Sequence, residues 1–217
     1  MFTFIFYIVG LTTLVSFFYY KKLNKSISKY FLYFFSWTFV VELIYNIVRI
    51  RYFQTNEIIF NYYITYNIHT IISFVFFFYF YHKLSKNKRN KKIFLVFIYA
   101  FGFFALLNYF VLNNNITDDN LNVNNIIVGS VFLLITIILF LIEIINNEKI
   151  VFNIYKSFIF WISIGLLLFY IGILPIMIST EYLNYNITYM SILNSLNVIM
   201  YGSFIIGMVK SETKYNY

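Results

Sequence analysis

Seven apolar segments, each long enough to cross a bilayer, follow one another along the chain with only short connections between them. They cover residues 2–20, 30–48, 58–81, 93–112, 126–145, 152–178 and 187–209. A membrane-spanning helix needs about 20 mostly apolar residues, and the connections are too short to fold alone. The sequence therefore predicts an all-α fold, a polytopic membrane bundle of seven transmembrane helices that forms a single transmembrane domain over residues 1–217.

Composition excludes a water-soluble fold for most of the chain. Hydrophobic residues make up 61% of it and charged residues only 11%, which does not describe a surface in contact with water. The formal net charge is +8, but the basic residues flank the apolar segments instead of sharing one soluble surface. We therefore expect the lipid bilayer as a partner and no nucleic acid. The absence of cysteine excludes disulfides and thiolate metal sites.

The positions of lysine and arginine predict how the chain is oriented in the membrane. When the connections and the tail are assigned alternately to the two sides, fourteen of the sixteen basic residues fall on one side, and only Arg49 and Arg51 fall on the other. Cytoplasmic connections carry the excess of positive charge in membrane proteins. We expect a multi-pass protein with its N-terminus outside and its C-terminus in the cytoplasm.

The third connection, HKLSKNKRNKK at residues 82–92, is the most basic part of the chain. A cluster of this kind beside a membrane attracts anionic lipid, and a cytoplasmic protein is the alternative partner. The positive-inside bias explains such a cluster equally well without any partner. The residues concerned are Lys83, Lys86, Lys88, Arg89, Lys91 and Lys92.

A weak internal repeat appears when the chain is compared with itself at a shift of 127 residues. Lys22 then aligns with Lys149, Lys29 aligns with Lys156, and KYFLYFFS aligns with KSFIFWIS. The shift predicts a parallel 3+1+3 arrangement, in which segments one to three correspond to segments five to seven, as in some transporters. The alternative is that two aromatic helices with basic flanks align this well by composition alone.

Polar residues in the predicted outer half of three segments are the best candidates for a binding site. In the third segment they recur every four positions and so line one helical face, ahead of an almost wholly aromatic stretch at residues 74–81. Glu42 and His69 fall at similar depth and are expected to face each other. The alternative is that these residues only pair between packed helices. The predicted ligand-binding residues are Glu42, Asn46, Asn61, Thr65, His69, Asn194, Asn197 and Tyr201.

The sixth segment carries a stripe of small residues. Trp161, Gly165, Leu168 and Gly172 share one helical face, which predicts close packing against a neighbouring helix. Pro175, the only proline of the chain, kinks this helix near its end or simply terminates it.

Reactive side chains are too few for the common enzyme classes. A metal-dependent hydrolase needs three converging His, Asp or Glu ligands, and His69 is the only histidine at membrane depth. The serines of Gly129-Ser130 and Gly202-Ser203 lack a G-x-S-x-G elbow. The last segment has no lysine before Lys210, so no retinal Schiff base is expected. We predict no metal and no cofactor, and we assign no enzyme activity.

Three motifs carry a resemblance to a known group of proteins. They are FWISIGLLLFYIGILP at residues 160–175, YNIHTIISFVFF at residues 66–77 and ILNSLNVIMY at residues 192–201. In these motifs the chain resembles a widespread group of small seven-span integral membrane proteins of Bacteroidota, a group with no established activity. Members often lie beside genes for sensor histidine kinases, which implies a signalling accessory and carries over no catalytic residue.

Three functions remain open from the sequence. The first is a sensor or signalling accessory that binds a small ligand in a polar cavity of the outer half. The second is a small transporter built on the 3+1+3 repeat. The third is a structural or docking subunit of a membrane complex. The oligomeric state is not encoded in any feature of the sequence discussed above.

Overall fold

The computed structural model describes residues 3–23, 29–55, 62–112, 122–146, 153–179 and 187–212. A π-helical segment, Asn108–Leu112, continues α5, and a 3₁₀ turn, Ile154–Lys156, precedes α7. No strand occurs within the described ranges, which confirms the prediction of an all-α fold. The α-helices are α1 (Phe4–Phe18), α2 (Tyr20–Leu23), α3 (Lys29–Thr55), α4 (Tyr62–Leu84), α5 (Lys88–Leu107), α6 (Val123–Ile145), α7 (Phe158–Ile178) and α8 (Ile187–Lys210).

Six of these helices, α3 to α8, are long and apolar enough to cross a membrane. The remaining predicted span, residues 2–20, is represented by α1, an apolar helix of only 15 residues. It begins after Thr3, whose hydroxyl accepts a hydrogen bond from the Phe6 backbone N–H, and it ends before a turn at Tyr19. The chain is therefore a multi-pass helical membrane protein with six long apolar helices and one shorter one.

Six helices form a closed ring. Around it α1 packs against α3, α3 against α4, α4 against α6, α6 against α7, α7 against α8, and α8 back against α1. The helix α5 lies outside the ring, against α4 and α6, and is the least buried of the long helices. The chain thus winds once around the ring and places α5 on its periphery.

Aromatic side chains fill the ring around Phe31, near the start of α3. Phe31 is fully buried. Its ring centroid lies 4.6 Å from that of Phe80 on α4 and 5.7 Å from that of Phe158 on α7. The Phe204 ring of α8 is 6.3 Å away. All three contacts are edge to face, a geometry that aromatic pairs favour. One side chain therefore links α3 to three other helices.

Basic residues gather at one end of the bundle, the end at which α1, α4, α6 and α8 finish, which we call the basic end. The Lys22 ammonium donates hydrogen bonds to the carbonyl oxygens of Met208 and Val209, at 2.9 and 3.0 Å. Lys156, just before α7, forms an ion pair with Glu212, just after α8, at 2.8 Å. Burial lowers the pKa of Lys22, and the charge of Glu212 opposes this shift. These contacts join the ends of α1, α7 and α8.

A short connection joins α4 to α5 at the basic end, and Glu143 of α6 holds it in place. One carboxylate oxygen accepts hydrogen bonds from the backbone N–H groups of Lys86 and Asn87. The other accepts from Ser85 Oγ at 2.6 Å and from Asn90 Nδ2 at 2.9 Å. A carboxylate is favoured here because the free N–H groups and the dipole at a helix N-terminus attract negative charge.

The connection is much shorter than the sequence predicts. Residues 82–92 were expected to form a loop, yet α4 continues to Leu84 and α5 begins at Lys88. Apolar character ends at residue 81, but helical hydrogen bonding does not, because long basic side chains reach the headgroup region from within a helix. The predicted basic loop therefore consists mostly of helix ends.

Glycine allows α7 and α8 to approach each other closely. A Cβ added to Gly165 would lie 2.9 Å from the Ser203 Cβ and 3.0 Å from the Met200 carbonyl oxygen. A Cβ on Gly172 would lie 2.5 Å from a leucine side chain of α8. These contacts confirm the predicted packing stripe at both glycines, whereas Leu168 of the same stripe is exposed.

We predict that Gly165→Ala destabilises the bundle. The added methyl group meets backbone and Cβ atoms that cannot move aside, so we expect a loss of about 1–3 kcal/mol in the free energy of unfolding. Gly202→Ala on α8 is the matched control, because a Cβ there would have nothing within 4 Å. Unfolding in mixed micelles with increasing SDS, followed by circular dichroism, measures both variants. Equal stabilities for the two variants would contradict the close packing of α7 on α8.

Candidate functional site

Glu42 on α3 is the only buried charged side chain among the described residues. Its side chain is 5% exposed. Oε1 accepts a hydrogen bond from the Tyr66 hydroxyl of α4 at 2.7 Å. Oε2 is buried and has no hydrogen-bond partner in the described part of the chain. A carboxyl group in this state is costly, since buried polar atoms are normally paired.

Two tyrosines interact with this carboxyl group, and each of them has a further tyrosine beside it. Tyr66 donates to it, and the Tyr45 ring of α3 meets the Tyr66 ring edge to face at 4.9 Å. Tyr201 of α8 is buried and interacts electrostatically with both Glu42 and Tyr66. Tyr170 of α7 is buried and interacts with Tyr201 in the same way. Four ring helices, α3, α4, α7 and α8, therefore contribute to what we call the Glu42 cluster, the carboxyl group and these tyrosines.

Asn46, one turn beyond Glu42 on α3, joins the cluster to the start of α1. Its side chain is fully buried. Asn46 Oδ1 accepts a hydrogen bond from the Thr3 backbone N–H at 2.7 Å, and Asn46 Nδ2 donates to the Glu42 carbonyl oxygen at 2.8 Å. Nδ2 also reaches the Thr3 hydroxyl at 3.2 Å. Because all these bonds are to neighbouring helical groups, Asn46 ties α1 to α3.

His69 lies one turn from Tyr66 on α4, toward the basic end. Its ring stacks on Phe34 of α3 with centroids 6.3 Å apart, and Nδ1 is buried without a hydrogen-bond partner among the described residues. The Ser73 hydroxyl donates to the His69 carbonyl oxygen at 2.7 Å and lies 3.5 Å from Nε2. The structure contains no hydrogen bond between His69 and Glu42, because Tyr66 occupies the position next to the carboxyl group.

The remaining predicted site residues lie at varying distances from this cluster. On α8, Asn197 is buried and donates through Nδ2 to the Leu193 carbonyl oxygen of its own helix, and Asn194 is half-buried. Thr65 of α4 is half-buried beside Tyr66. Asn61 lies outside the described residues. The structure therefore brings together Glu42, Asn46 and Tyr201. Thr65 is next to Tyr66, and His69, Asn194 and Asn197 lie one or two helical turns from Tyr66 or Tyr201.

A second polar cluster, four buried asparagines, joins α4, α5 and α6 at the end opposite the basic end. Asn108, at the start of the π-helical segment, donates through Nδ2 to Asn122 Oδ1 at 2.6 Å and to Asn125 Oδ1 at 3.0 Å. The Asn122 backbone N–H donates to Asn67 Oδ1 at 2.9 Å. Asn122 is also the N-cap of α6, since its side chain accepts from the Asn125 N–H.

Sequence reasoning missed this cluster, and it also missed Tyr66 and Tyr170. The sequence contains 22 tyrosines, so no single tyrosine stands out. One weak local signal for the asparagines was available, because asparagine is a favoured helix N-cap and Asn122 lies four residues before the apolar run that begins at Ile126. No comparable signal distinguishes Tyr66 from its neighbours.

An apolar groove lies between α6 and α7. It has a volume of about 540 Å³ and is wide open at the surface. Pro175 lines it, and α7 continues through this proline to Ile178. The other lining residues are Leu134, Ile171, Leu174, Ile178 and Ser179. Because the lining offers almost no polar group, the groove has none of the chemistry of the Glu42 cluster.

The arrangement around Glu42 supports binding better than covalent chemistry. Within the described residues, no three His, Cys, Asp or Glu side chains converge to hold a metal ion. The groups that do converge are one carboxyl group and tyrosine hydroxyls, which recognise hydrogen-bond donors and apolar rings. The cluster can therefore orient a small molecule with one polar end.

We predict that Tyr66→Phe destabilises the protein. The substitution removes the single described hydrogen bond to the Glu42 carboxyl group and leaves a buried acceptor unpaired, which costs about 1–3 kcal/mol. Tyr33→Phe, on the exposed side of the same bundle, is the matched control. Unfolding in mixed micelles measures both variants. The bond is unimportant if Tyr66→Phe proves as stable as Tyr33→Phe.

Comparison with known proteins provides no family for this chain. No family model, no curated protein and no solved structure matches it. The structure itself shows a helical multi-pass membrane protein, and its function has to be argued from the Glu42 cluster.

Proposed function

We propose that this chain is a sensor or signalling accessory of the bacterial inner membrane that binds a small amphipathic ligand at the Glu42 cluster. The observation that carries the proposal is the buried Glu42 carboxyl group, which has one oxygen without a partner in the described part of the chain. An ionisable residue inside a membrane bundle is costly and is retained for function more often than for stability. A ligand with a hydrogen-bond donor would satisfy the free oxygen.

The surrounding side chains support an amphipathic ligand. Tyr66, Tyr170 and Tyr201 offer aromatic surface together with hydroxyl groups. His69 adds Nδ1, a ring nitrogen with no partner among the described residues, one turn toward the basic end. Asn197 adds an amide one turn from Tyr201 along α8, away from the basic end. A compact molecule with one polar end and one aromatic or aliphatic end matches this set.

The helices that share the cluster offer a route for a signal. The tight packing of α7 on α8 at Gly165 leaves little room for these two helices to move separately. A ligand that binds between α3, α4 and this pair would therefore displace the pair as a unit toward or away from the rest of the ring. The resemblance to proteins found beside sensor histidine kinase genes is consistent with a membrane kinase as the receiver of that displacement.

The proposed orientation places the basic end in the cytoplasm and the Glu42 cluster in the outer half. The convergence of Lys22, Lys83, Lys156 and Lys210 on one end of the bundle supports it.

We predict that an alkaline phosphatase fusion is inactive and a green fluorescent protein fusion is fluorescent when either is joined after residue 217. Both reporters distinguish the cytoplasm from the outside of the inner membrane. A fusion between α3 and α4 should give the opposite pair of signals and serves as the control. An active phosphatase on the C-terminal tail would reverse the orientation.

We predict that the Glu42 carboxyl group determines ligand binding. Purified protein in nanodiscs is titrated with indole, 1-octanol and 2-phenylethanol, and binding is followed by tyrosine fluorescence. We expect at least one of these compounds to bind, and Glu42→Gln to weaken its affinity about tenfold, because an amide replaces the carboxyl oxygen that accepts the ligand's hydrogen bond. Glu212→Gln, an acid at the basic end, is the control and should bind as the wild type does.

Two results would contradict this function. If none of the three compounds binds, the cluster is not a site for small amphipathic molecules. If Glu42→Gln and the wild type bind equally, the ligand lies elsewhere in the bundle.

A small transporter is the second candidate, because the ring has a regular arrangement. A shift of 127 residues takes α1, α3 and α4 onto α6, α7 and α8. Equivalent helices have equivalent neighbours: the α1–α3 contact corresponds to α6–α7, and the α3–α4 contact corresponds to α7–α8. The α4–α6 contact corresponds to α8–α1. Phe31 and Phe158, which the shift makes equivalent, are in contact. We infer a parallel 3+1+3 repeat in which α5 is the unpaired helix.

The polar residues do not follow this repeat, and for that reason we place the sensor first. The positions equivalent to Glu42, Tyr66 and His69 are Phe169, Leu193 and Leu196. The cluster joins Glu42 and Tyr66 of one half to Tyr170 and Tyr201 of the other without repeating them, an asymmetry more typical of a single binding site than of a path through the bundle. Solute flux into proteoliposomes, which a sensor does not support, separates the two functions. The third function, a docking subunit, remains a prediction.

A further inference from the structure

The outward face of α5 changes from basic to apolar along its length. Lys88, Arg89 and Lys92 are exposed in its first two turns. Farther along α5, away from the basic end, large apolar side chains are also exposed, and they follow at roughly helical spacing. These side chains are Val96, Tyr99, Phe103 and Phe110, exposed by 60%, 69%, 65% and 69%.

The basic turn is fixed at one height relative to the bundle. The connection before it has only three non-helical residues, 85–87. Glu143 binds this connection through four hydrogen bonds, one of them from Asn90 within the basic turn. The charges therefore do not belong to a free loop that reaches into the cytoplasm. They lie next to an apolar surface on the same face of the same helix.

None of these three basic side chains forms an ion pair within the described part of the chain. The nearby Glu143 carboxylate binds uncharged N–H and O–H groups on both oxygens. The single ion pair among the described residues joins Lys156 and Glu212, on other elements. Lys88, Arg89 and Lys92 outnumber the one Glu143 carboxylate, so the turn presents a net positive charge to the surroundings.

We propose that this face of α5 binds an anionic phospholipid. The phosphate lies against Lys88, Arg89 and Lys92, and an acyl chain lies along Val96, Tyr99 and Phe103. A single partner must supply negative charge at the basic end of this face and a long apolar chain along the rest of it, and a phospholipid has this chemistry. Lys88 and Lys92 each offer an ammonium group and Arg89 offers a guanidinium group, and all three can donate hydrogen bonds to phosphate oxygens.

A second copy of the chain fits this face less well than a lipid. Two copies in the same membrane have the same orientation, so a symmetric contact through α5 brings the two basic turns together. Like charges at an interface oppose association. A soluble protein fits less well again, because it cannot cover the apolar stripe within the bilayer.

The test compares binding of phosphatidylglycerol and phosphatidylcholine to the full chain. Protein is reconstituted in nanodiscs of phosphatidylcholine with and without phosphatidylglycerol, and the retained lipids are measured by native mass spectrometry. We expect the wild type to prefer phosphatidylglycerol, and the triple variant Lys88→Gln, Arg89→Gln, Lys92→Gln to lose about tenfold or more of that preference. The control triple variant is Lys21→Gln, Lys29→Gln, Lys210→Gln, which removes the same charge from the same end and should keep the preference.

Several results would overturn the proposal. One is equal loss of preference in the two triple variants, which would mean that only total charge matters. Another is a wild type that retains the two lipids equally. Because the chain has no cysteine, Tyr99→Cys introduces a unique thiol on the exposed face. Efficient disulfide cross-linking of this variant in native membranes would show that a second copy occupies the face in place of lipid.

Discussion

Close packing of aromatic side chains around Phe31 holds the ring of helices together. Within a bilayer, lipid tails are as apolar as leucine, so helices gain little from hydrophobic burial and must associate through packing and hydrogen bonds. Phe31 meets rings of α4, α7 and α8 edge to face, and glycine lets α7 and α8 approach closely beside it. This packing fixes the relative positions of four helices near the basic end. The polar contacts farther along the same helices depend on those positions.

Stability and the proposed site are separated along the helix axes. Glu42 lies eleven residues beyond Phe31 on α3, a distance of about 16 Å at the rise of an α-helix. At that level the contacts are a hydrogen bond from Tyr66 and electrostatic interactions with Tyr201, not a dry aromatic core. A half that is polar and incompletely paired can change its contacts when a ligand arrives, while the aromatic half remains in place.

Sequence alone predicts the helices well and their arrangement poorly. Apolar character summed over about 20 residues is a strong signal, so the predicted ends of α4 and α8 agree with the structure within a few residues. That signal fails at residues 82–92, where charge begins before the helices end. It also cannot reveal that Tyr66 binds Glu42 or that α5 lies outside the ring. Helices that are apolar on every face carry no amphipathic pattern to show which side is buried.

The shortness of α1 affects the membrane around the protein. Its 15 residues extend about 22 Å, whereas the hydrocarbon core is about 30 Å thick. A bilayer adapts to such a mismatch by thinning beside the short helix. Lys22 ties the C-terminal side of α1 to the end of α8, and Asn46 binds Thr3 at its other end. Because both ends are bound to neighbouring helices, α1 cannot shift along the bundle to match a thicker bilayer.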